Sequence, residues 1–194
     1  DGVAFVSVCT TVMVQVRMVS NKPRHSGGPC ETLTSLRTRA GRYVLGGKIA
    51  MNVAIGNGSD LIRLAQAIRY QVFTIEQRIA TELDLDGLDE VSIHALVTEQ
   101  GEPIATARLT VKEDGSSIIA RVAVMESYRG GGVASTVIQA LVVHAQNIGV
   151  ESIEIHAHAY LRSYYERFGF EFIKEVEVVG EHQLIEMRHQ IVRT

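Results

Sequence analysis

Three consecutive glycines are the feature that most constrains this chain, because they separate a strand-like run from a helix-like run in "VAVMESYRGGGVASTVI", residues 122–138. A backbone without Cβ atoms can be approached closely by another group. The N-terminus of a helix offers free N–H groups and the positive end of the helix dipole, which suit an anion. The run therefore predicts a loop whose amides bind phosphate.

The residues around the glycines distinguish three familiar loops. A P-loop needs Gly-Lys-Ser/Thr before its helix, where this chain has Val133 and Ala134. A dinucleotide-binding G-x-G-x-x-G/A loop is broken by Ser135 at its third position. The pattern Arg/Gln-x-x-Gly-x-Gly/Ala is matched from Arg129 to Ala134. A glycine-rich turn with no ligand is the simpler alternative.

The composition fits one globular domain. The chain has 194 residues, 46% of them hydrophobic and 21% charged, with a net charge of −3. This charge requires neither nucleic acid nor an anionic membrane as a partner. Cys9 and Cys30 do not form a metal-type pair, and a cytoplasmic location is the default expectation.

Residues 1–50 differ from the rest and form a basic N-terminal extension. They carry a net charge of +5, whereas residues 51–194 carry −8. A targeting peptide, a flexible arm or added strand, and a translated leader upstream of Met51 are three explanations. We favour the leader, because regular patterning begins at Met51, and we place the domain at residues 51–194.

The patterning after Met51 predicts an α/β (α+β) fold. A helix begins near Ser59, and three strand-like runs follow at hairpin spacing: "VSIHALV", "IATARLTV" and "SIIARVAV". A helix after the glycines, the strand "ESIEIHA", the short helix "LRSYYERF" and two final strands complete the order. A strand, a crossover helix and a strand imply one parallel pair in a central, mixed, mostly antiparallel sheet flanked by helices.

The glycine loop, followed about 30 residues later by "HAHAYLRSYYERFGF", resembles the GCN5-related N-acetyltransferase (GNAT) family. The resemblance implies the acyl-CoA N-acyltransferase fold and a loop that binds the pyrophosphate of acetyl-coenzyme A. It also implies that the β-strand "VAV" pairs with the pantetheine arm and that the N–H of Val124 polarises the thioester carbonyl. The implied cofactor contacts are Val122, Ala123, Val124, Arg129, Gly130, Gly131, Gly132, Val133, Ala134, Ser135 and His158.

A tyrosine in the same closing motif has a chemical role that can be argued independently. Tyr165 stands four residues before Gly169. A thiol leaving group has a pKa of about 8.5, and a tyrosine hydroxyl beside the sulfur can protonate the thiolate as a general acid. For Tyr164, packing of a helix face is the preferred explanation.

The first half of the domain resembles the ElaA-like subgroup of these acetyltransferases. The resemblance covers about residues 51–189 and rests on Arg69, Val72, Phe73, Glu76, Gln77, Asp84, Asp86, Asp89 and His94. The same segment also resembles acyl-homoserine-lactone synthases. Those enzymes carry a tryptophan in this region and lack a well-formed acetyl-coenzyme A loop, whereas this chain has no tryptophan and has the loop.

A base is needed because a primary amine with a pKa near 10 is mostly protonated at pH 7. Glu76 and His94 are the candidates, since both lie in the segment that should line the acceptor side. A solvated helix end and a packed strand histidine are the simpler explanations. The acidic residues 82–90 could attract a cationic amine, although a solvated loop is the more common reason for such a run.

A metal site is not expected. His156 and His158 share a strand face with Glu154, but zinc needs a further ligand that the sequence does not fix. His158 takes the place of an asparagine that touches the cofactor in many members of the resembled family.

The sequence therefore predicts an N-acetyltransferase that uses acetyl-coenzyme A, needs no metal, and acts on a small-molecule or peptide amine. An acyl-homoserine-lactone-synthase-like enzyme and a non-catalytic acetyl-coenzyme A-binding module are the alternatives. The acceptor and the oligomeric state, with a homodimer as one candidate, are left open.

Overall fold

The computed structural model describes residues 51–179 and 182–191. The expectations for residues 1–50, including the leader and its alternatives, lie outside this part of the chain. None of the described helices combines the length and the apolarity that crossing a bilayer requires.

A seven-stranded mixed sheet organises the described residues, as the hairpin spacing and the crossover helix predict. Its strands run in the spatial order β1-β2-β3-β4-β5-β7-β6. All neighbouring pairs are antiparallel except β4 and β5. The strands are β1 Met51–Gly56, β2 Ile93–Glu99, β3 Glu102–Val111, β4 Ser116–Val124, β5 Ser152–His158, β6 Glu171–Val179 and β7 His182–Gln190.

Helices pack on both faces of the sheet. They are α1 Ser59–Arg69, which continues into a π-helix Tyr70–Glu76, then α2 Thr81–Asp84, α3 Val133–Asn147 and α4 Arg162–Glu166. Ala95 and Val97 of β2 belong to the core that contains α3, whereas Leu96 packs with Phe73 of the π-helix. Because successive strand residues point to opposite faces, α1 and α3 lie on opposite sides of the sheet.

The parallel pair β4–β5 is joined only at one end. Its ladder pairs Ser116–Ile118 with Ser152–Glu154, although β4 continues to Val124 and β5 to His158. The two strands therefore separate towards their C-terminal ends. We call the gap between residues 119–124 of β4 and 155–158 of β5 the β4–β5 wedge.

A β-bulge bends β4 beside this wedge. The pairing of β4 with β3 shifts between Arg108 and Thr106, and Arg121 at this point has φ of 56°. A left-handed conformation costs a non-glycine residue roughly 1 kcal/mol. The Arg121 guanidinium offsets this cost with hydrogen bonds to the Asp84 carbonyl at 3.2 Å and to an Asp86 carboxylate oxygen at 3.0 Å.

Two elements differ from the sequence prediction. Strand β1, which the predicted order of elements lacks, pairs along its length with β2. The helix that is predicted to begin near Ser59 is α-helical only to Arg69, where the π-helix begins. Glu76, the last residue of the π-helix, contacts Arg129 of the glycine loop.

Candidate functional site

The glycine loop, residues 129–135, lies at the open end of the β4–β5 wedge. It leads into α3, whose N-cap Gly132 has φ of 83° and makes no side-chain capping bond. A Cβ added to Gly132 would meet no atom within 4 Å, so the space above the loop is open. The first amides of α3 have no partner within the helix. The arrangement offers several N–H donors to one anion.

The edge of β4 supplies the second part of the site. Ala123 and Val124 pair with β3 on one side, just after the bulge, and the β4–β5 ladder ends at Ile118. Main-chain groups on the wedge side can therefore accept an extended ligand as an additional strand. The edge and the loop are adjacent in the chain, so one extended molecule could contact both.

Arg129 joins the loop to the other elements of the site. Its Nε donates to the Val124 carbonyl at 3.0 Å, and its Nη2 pairs with the Glu76 carboxylate. The structure thus brings two predicted site residues together. A carboxylate bound by a guanidinium has fewer lone pairs for an incoming proton, so this pair favours a structural role for Glu76 over that of a base.

His94 is fully buried. Its Nε2 lies 3.0 Å from the Asp89 carbonyl oxygen. Burial, with a smaller contribution from two nearby arginines, lowers the pKa of this imidazole. An acceptor amine could not reach the ring without a rearrangement, so the structure favours the packed strand histidine.

The acidic segment is neither a solvated loop nor an open cation site, because three of its aspartates bind buried arginines. Arg69 contacts Asp84 at 2.9 Å and Asp89 at 2.7 Å, and Arg108 contacts Asp86 at 2.6 Å. With Arg121, these residues form what we call the ion cluster. Its three negative and three positive charges compensate one another, so the expected attraction of a cationic amine is not supported.

The surroundings shift the pKa values of two carboxyl groups in the ion cluster in opposite directions. Burial raises the pKa of Asp84, and the ion pair with Arg69 only partly offsets this effect. Burial also opposes ionisation of Asp89, but hydrogen bonds from Arg69 and Gln66 hold its pKa well below the usual range. The sequence signal for this cluster is the presence of arginines at otherwise apolar strand and helix positions. The sequence prediction does not include the cluster.

Tyr165 lies in the core on the α3 side of the sheet. Its side chain is 1% exposed, and its ring meets those of Tyr164 and Phe170 edge-on at 5.2 and 6.0 Å. Burial raises the pKa of the hydroxyl well above its usual value of about 10. The group is therefore protonated at neutral pH and can act as a donor.

Tyr164 does more than pack the helix face. Its hydroxyl lies 3.2 Å from Oγ of Ser135 in the first turn of α3, and the Arg167 guanidinium lies 4.8 Å from the centre of its ring. This contact holds the Ser135 side chain at the glycine loop, where the sequence placed it as a phosphate ligand.

The last residue of β5 is also buried. His158 stacks on Tyr160 with ring centres 5.3 Å apart. Its position at the wedge is compatible with the predicted cofactor contact.

A charged group of side chains occupies the other face of β5 and β7. Ligand atoms of Glu154, His156 and Glu186 lie within 4.8 Å of one another. The two glutamates already have cationic partners, namely Lys112, Lys174 and Arg188 at 2.8 to 3.7 Å. These cations compete with a metal for the carboxylates, and we call the six residues the charged face.

The sequence and the fold are similar to those of known acetyltransferases. The family model described as "Acetyltransferase (GNAT) domain" matches residues 67–191. The chain is 27% identical over 127 residues to "Uncharacterized N-acetyltransferase YjcF" of Bacillus subtilis (strain 168), covering 66% of this chain and 90% of the relative.

Two solved structures share the fold. An acyl-CoA N-acyltransferase from Pseudomonas aeruginosa is 26% identical with a TM-score of 0.65, covering 72% of this chain and 99% of that one. Escherichia coli ElaA is 23% identical with a TM-score of 0.65 and the same coverage of each chain. The expected fold is thus confirmed.

Proposed function

The chain belongs to the GNAT acetyltransferase family, and from this premise we propose that it transfers an acetyl group from acetyl-coenzyme A to a primary amine by direct attack. The observation that carries the proposal is the adjacency of two main-chain surfaces. An unpaired strand edge in the β4–β5 wedge is followed, after one 3-10 turn at Glu126–Tyr128, by a glycine loop that opens a helix.

The residues present fit acetyl-coenzyme A. Amides of residues 130–135 would hold the pyrophosphate, where the open space above Gly132 accommodates it. Main-chain groups of residues 122–124 would pair with the pantetheine arm. Arg129 is already engaged by Glu76 and Val124, so it would shape the loop rather than act mainly as a phosphate ligand.

Acetyl-coenzyme A supplies a thioester whose carbonyl carbon accepts the amine. The Val124 N–H would stabilise negative charge on the carbonyl oxygen. Tyr165 would donate its proton to the departing sulfur. The raised pKa of the tyrosine does not oppose this step by itself, because burial raises the pKa of a thiol in the same place as well.

The acceptor is proposed as a small molecule or a peptide with a primary amine. The compensated charges of the ion cluster do not favour polycations. A suitable first panel compares one polycation, spermidine, with three other primary amines: free lysine, an Ala-Gly-Gly tripeptide and benzylamine. It also remains a prediction that the protein acts in the cytoplasm and that it needs no metal.

A thiol-release assay on the full chain with acetyl-coenzyme A and this panel tests the proposal. Amine-dependent release of coenzyme A is expected. If coenzyme A is released from a medium-chain acyl-coenzyme A with S-adenosylmethionine, but not with the amines of the panel, the result would favour the synthase alternative. Binding of acetyl-coenzyme A without turnover on a broadened panel would favour the non-catalytic module.

A further inference from the structure

We propose that His156 is the base that removes the proton from the acceptor amine, an inference that rests on the proposed function. The two candidates from the sequence are occupied elsewhere: Glu76 binds Arg129, and His94 is enclosed by the ion cluster. A proton acceptor at the wedge must therefore come from another element.

The face on which His156 lies is the first argument. Its neighbours Ile155 and Ala157 on β5 point into the core that contains α3 and Tyr165. Because strand residues alternate between faces, His156 points to the opposite side of the sheet. A ligand arm in the plane of the sheet would then have Tyr165 on one side and His156 on the other.

The depth of His156 in the wedge is the second argument. The glycine loop lies at the open end, so an arm anchored there by its pyrophosphate directs its far end, the thioester, towards the closed end. The β4–β5 ladder closes at Glu154, and His156 is the next residue of β5 on the same face. The imidazole thus lies where the wedge begins to open.

Charged side chains surround the imidazole. His156 Nε2 lies 3.0 Å from Oε1 of Glu154, and Glu186 stands directly opposite on β7. A proton that arrives on the ring therefore has carboxylate oxygens beside it, and the same carboxylates also bind Lys112, Lys174 and Arg188. The side chain is 13% exposed, so part of the ring meets solvent, while Nε2 itself is covered.

The step balances with one base and one acid. At pH 7 the amine arrives as an ammonium ion, and His156 takes its first proton, directly or through one water, and passes it to solvent. The neutral nitrogen then forms a bond to the carbonyl carbon and the carbon–sulfur bond breaks, while the second proton leaves the nitrogen through His156 and Tyr165 gives its proton to the sulfur. Exchange with solvent deprotonates His156 and reprotonates Tyr165, so that in total the nitrogen loses two protons, the sulfur gains one and solvent gains one.

Ring signals of His156, followed by NMR in the full chain and assigned by their loss in His156→Gln, give a test that needs no acceptor. Saturation with acetyl-coenzyme A should shift these signals and leave those of His144, on α3, unchanged. Saturable binding that leaves the His156 signals unmoved would overturn the inference. A chain that does not bind acetyl-coenzyme A would instead refute the proposed function.

The pH dependence of transfer gives the second test, with the amine from the panel that is acetylated. His156→Gln should bind acetyl-coenzyme A as the wild type does in calorimetry and lose about 10²- to 10⁴-fold in kcat at pH 7. The loss should shrink towards pH 10, where the amine deprotonates by itself. His144→Gln should match the wild type throughout. An unchanged kcat, or a loss that is the same at every pH, would contradict a role as base.

Discussion

At the scale of single residues, the neighbouring tyrosines Tyr164 and Tyr165 have different surroundings. Tyr164 reaches Ser135 at the glycine loop, whereas Tyr165 is enclosed in the core. The sequence motif indicates which tyrosine stands four residues before Gly169. It does not show that the other one also touches the site, because that contact joins two elements 29 residues apart.

Replacing Tyr165 by phenylalanine removes the proposed proton donor and keeps the ring. Steady-state kinetics should show a loss of kcat of about 10²-fold or more, with the affinity for acetyl-coenzyme A nearly unchanged. Tyr164→Phe serves as the matched control. It should mainly weaken cofactor binding, through Ser135. Equal kcat for Tyr165→Phe and the wild type would remove Tyr165 from the mechanism.

Stability should depend on pH through His94. Burial holds the folded-state pKa of this imidazole below 6.5, so its contribution is complete above pH 6.5 and is lost as the pH falls through the lowered value. The free energy of unfolding of the wild type should therefore decrease as the pH falls from 7.5 to 5, in part because of this group. Urea unfolding at several pH values measures it. His94→Gln should flatten that part of the slope, and an identical slope in both proteins would argue against the assignment.

At the scale of elements, local patterns predict the meander β2–β4, helix α3 and the parallel strand β5, since alternation and turn residues encode them. The π-helix and the bulge at Arg121 could not be predicted in this way. Both depend on contacts with residues distant in sequence, such as Glu76 with Arg129 and Arg121 with Asp86. Such contacts override the local periodicity.

The glycine loop gives the prediction that belongs to this scale. Gly132→Glu would place a carboxylate where the pyrophosphate is proposed to bind, so acetyl-coenzyme A should no longer raise the melting temperature. Gly101→Glu is the control, because Gly101 has a similar φ of 91° and equally open space, but lies in the β2–β3 turn. A thermal shift that persists in Gly132→Glu would refute the loop assignment.

At the scale of the whole molecule, the ion cluster ties α1 and the segment after the π-helix to the sheet. Arg69 on α1 is 0% exposed, and Arg108 and Arg121 come from β3 and β4. The bulge in β4 is therefore held by the same charges that hold the segment with Asp84, Asp86 and Asp89. The sequence shows each charge but not their pairing, since that requires the three-dimensional arrangement of four elements.

Removing a charge from this cluster should cost much more than removing one from the surface. Arg69→Met removes one buried partner from both Asp84 and Asp89, which keep Arg121 and Arg108, and it leaves the cluster with one uncompensated negative charge. Denaturant unfolding should show a loss of about 3–5 kcal/mol. Arg63→Met on the same helix breaks only an exposed pair with Asp60 and should change stability by less than about 1 kcal/mol. Similar effects of the two substitutions would show that the cluster is not a major source of stability.

The sequence predicts much of the candidate site, since the β4 edge and the glycine loop follow from one continuous motif and Tyr165 from a second motif about 30 residues later. It does not distinguish a base, because Glu76, His94 and His156 differ mainly in what surrounds them in the fold. Exposure and partners of these side chains, rather than residue type, separate the three.

The central claim is that the loop and the wedge bind acetyl-coenzyme A, and calorimetric titration of the full 194-residue chain tests it most directly. The account predicts saturable binding of one acetyl-coenzyme A per chain. The absence of binding would contradict the assignment of the glycine loop and of the wedge together.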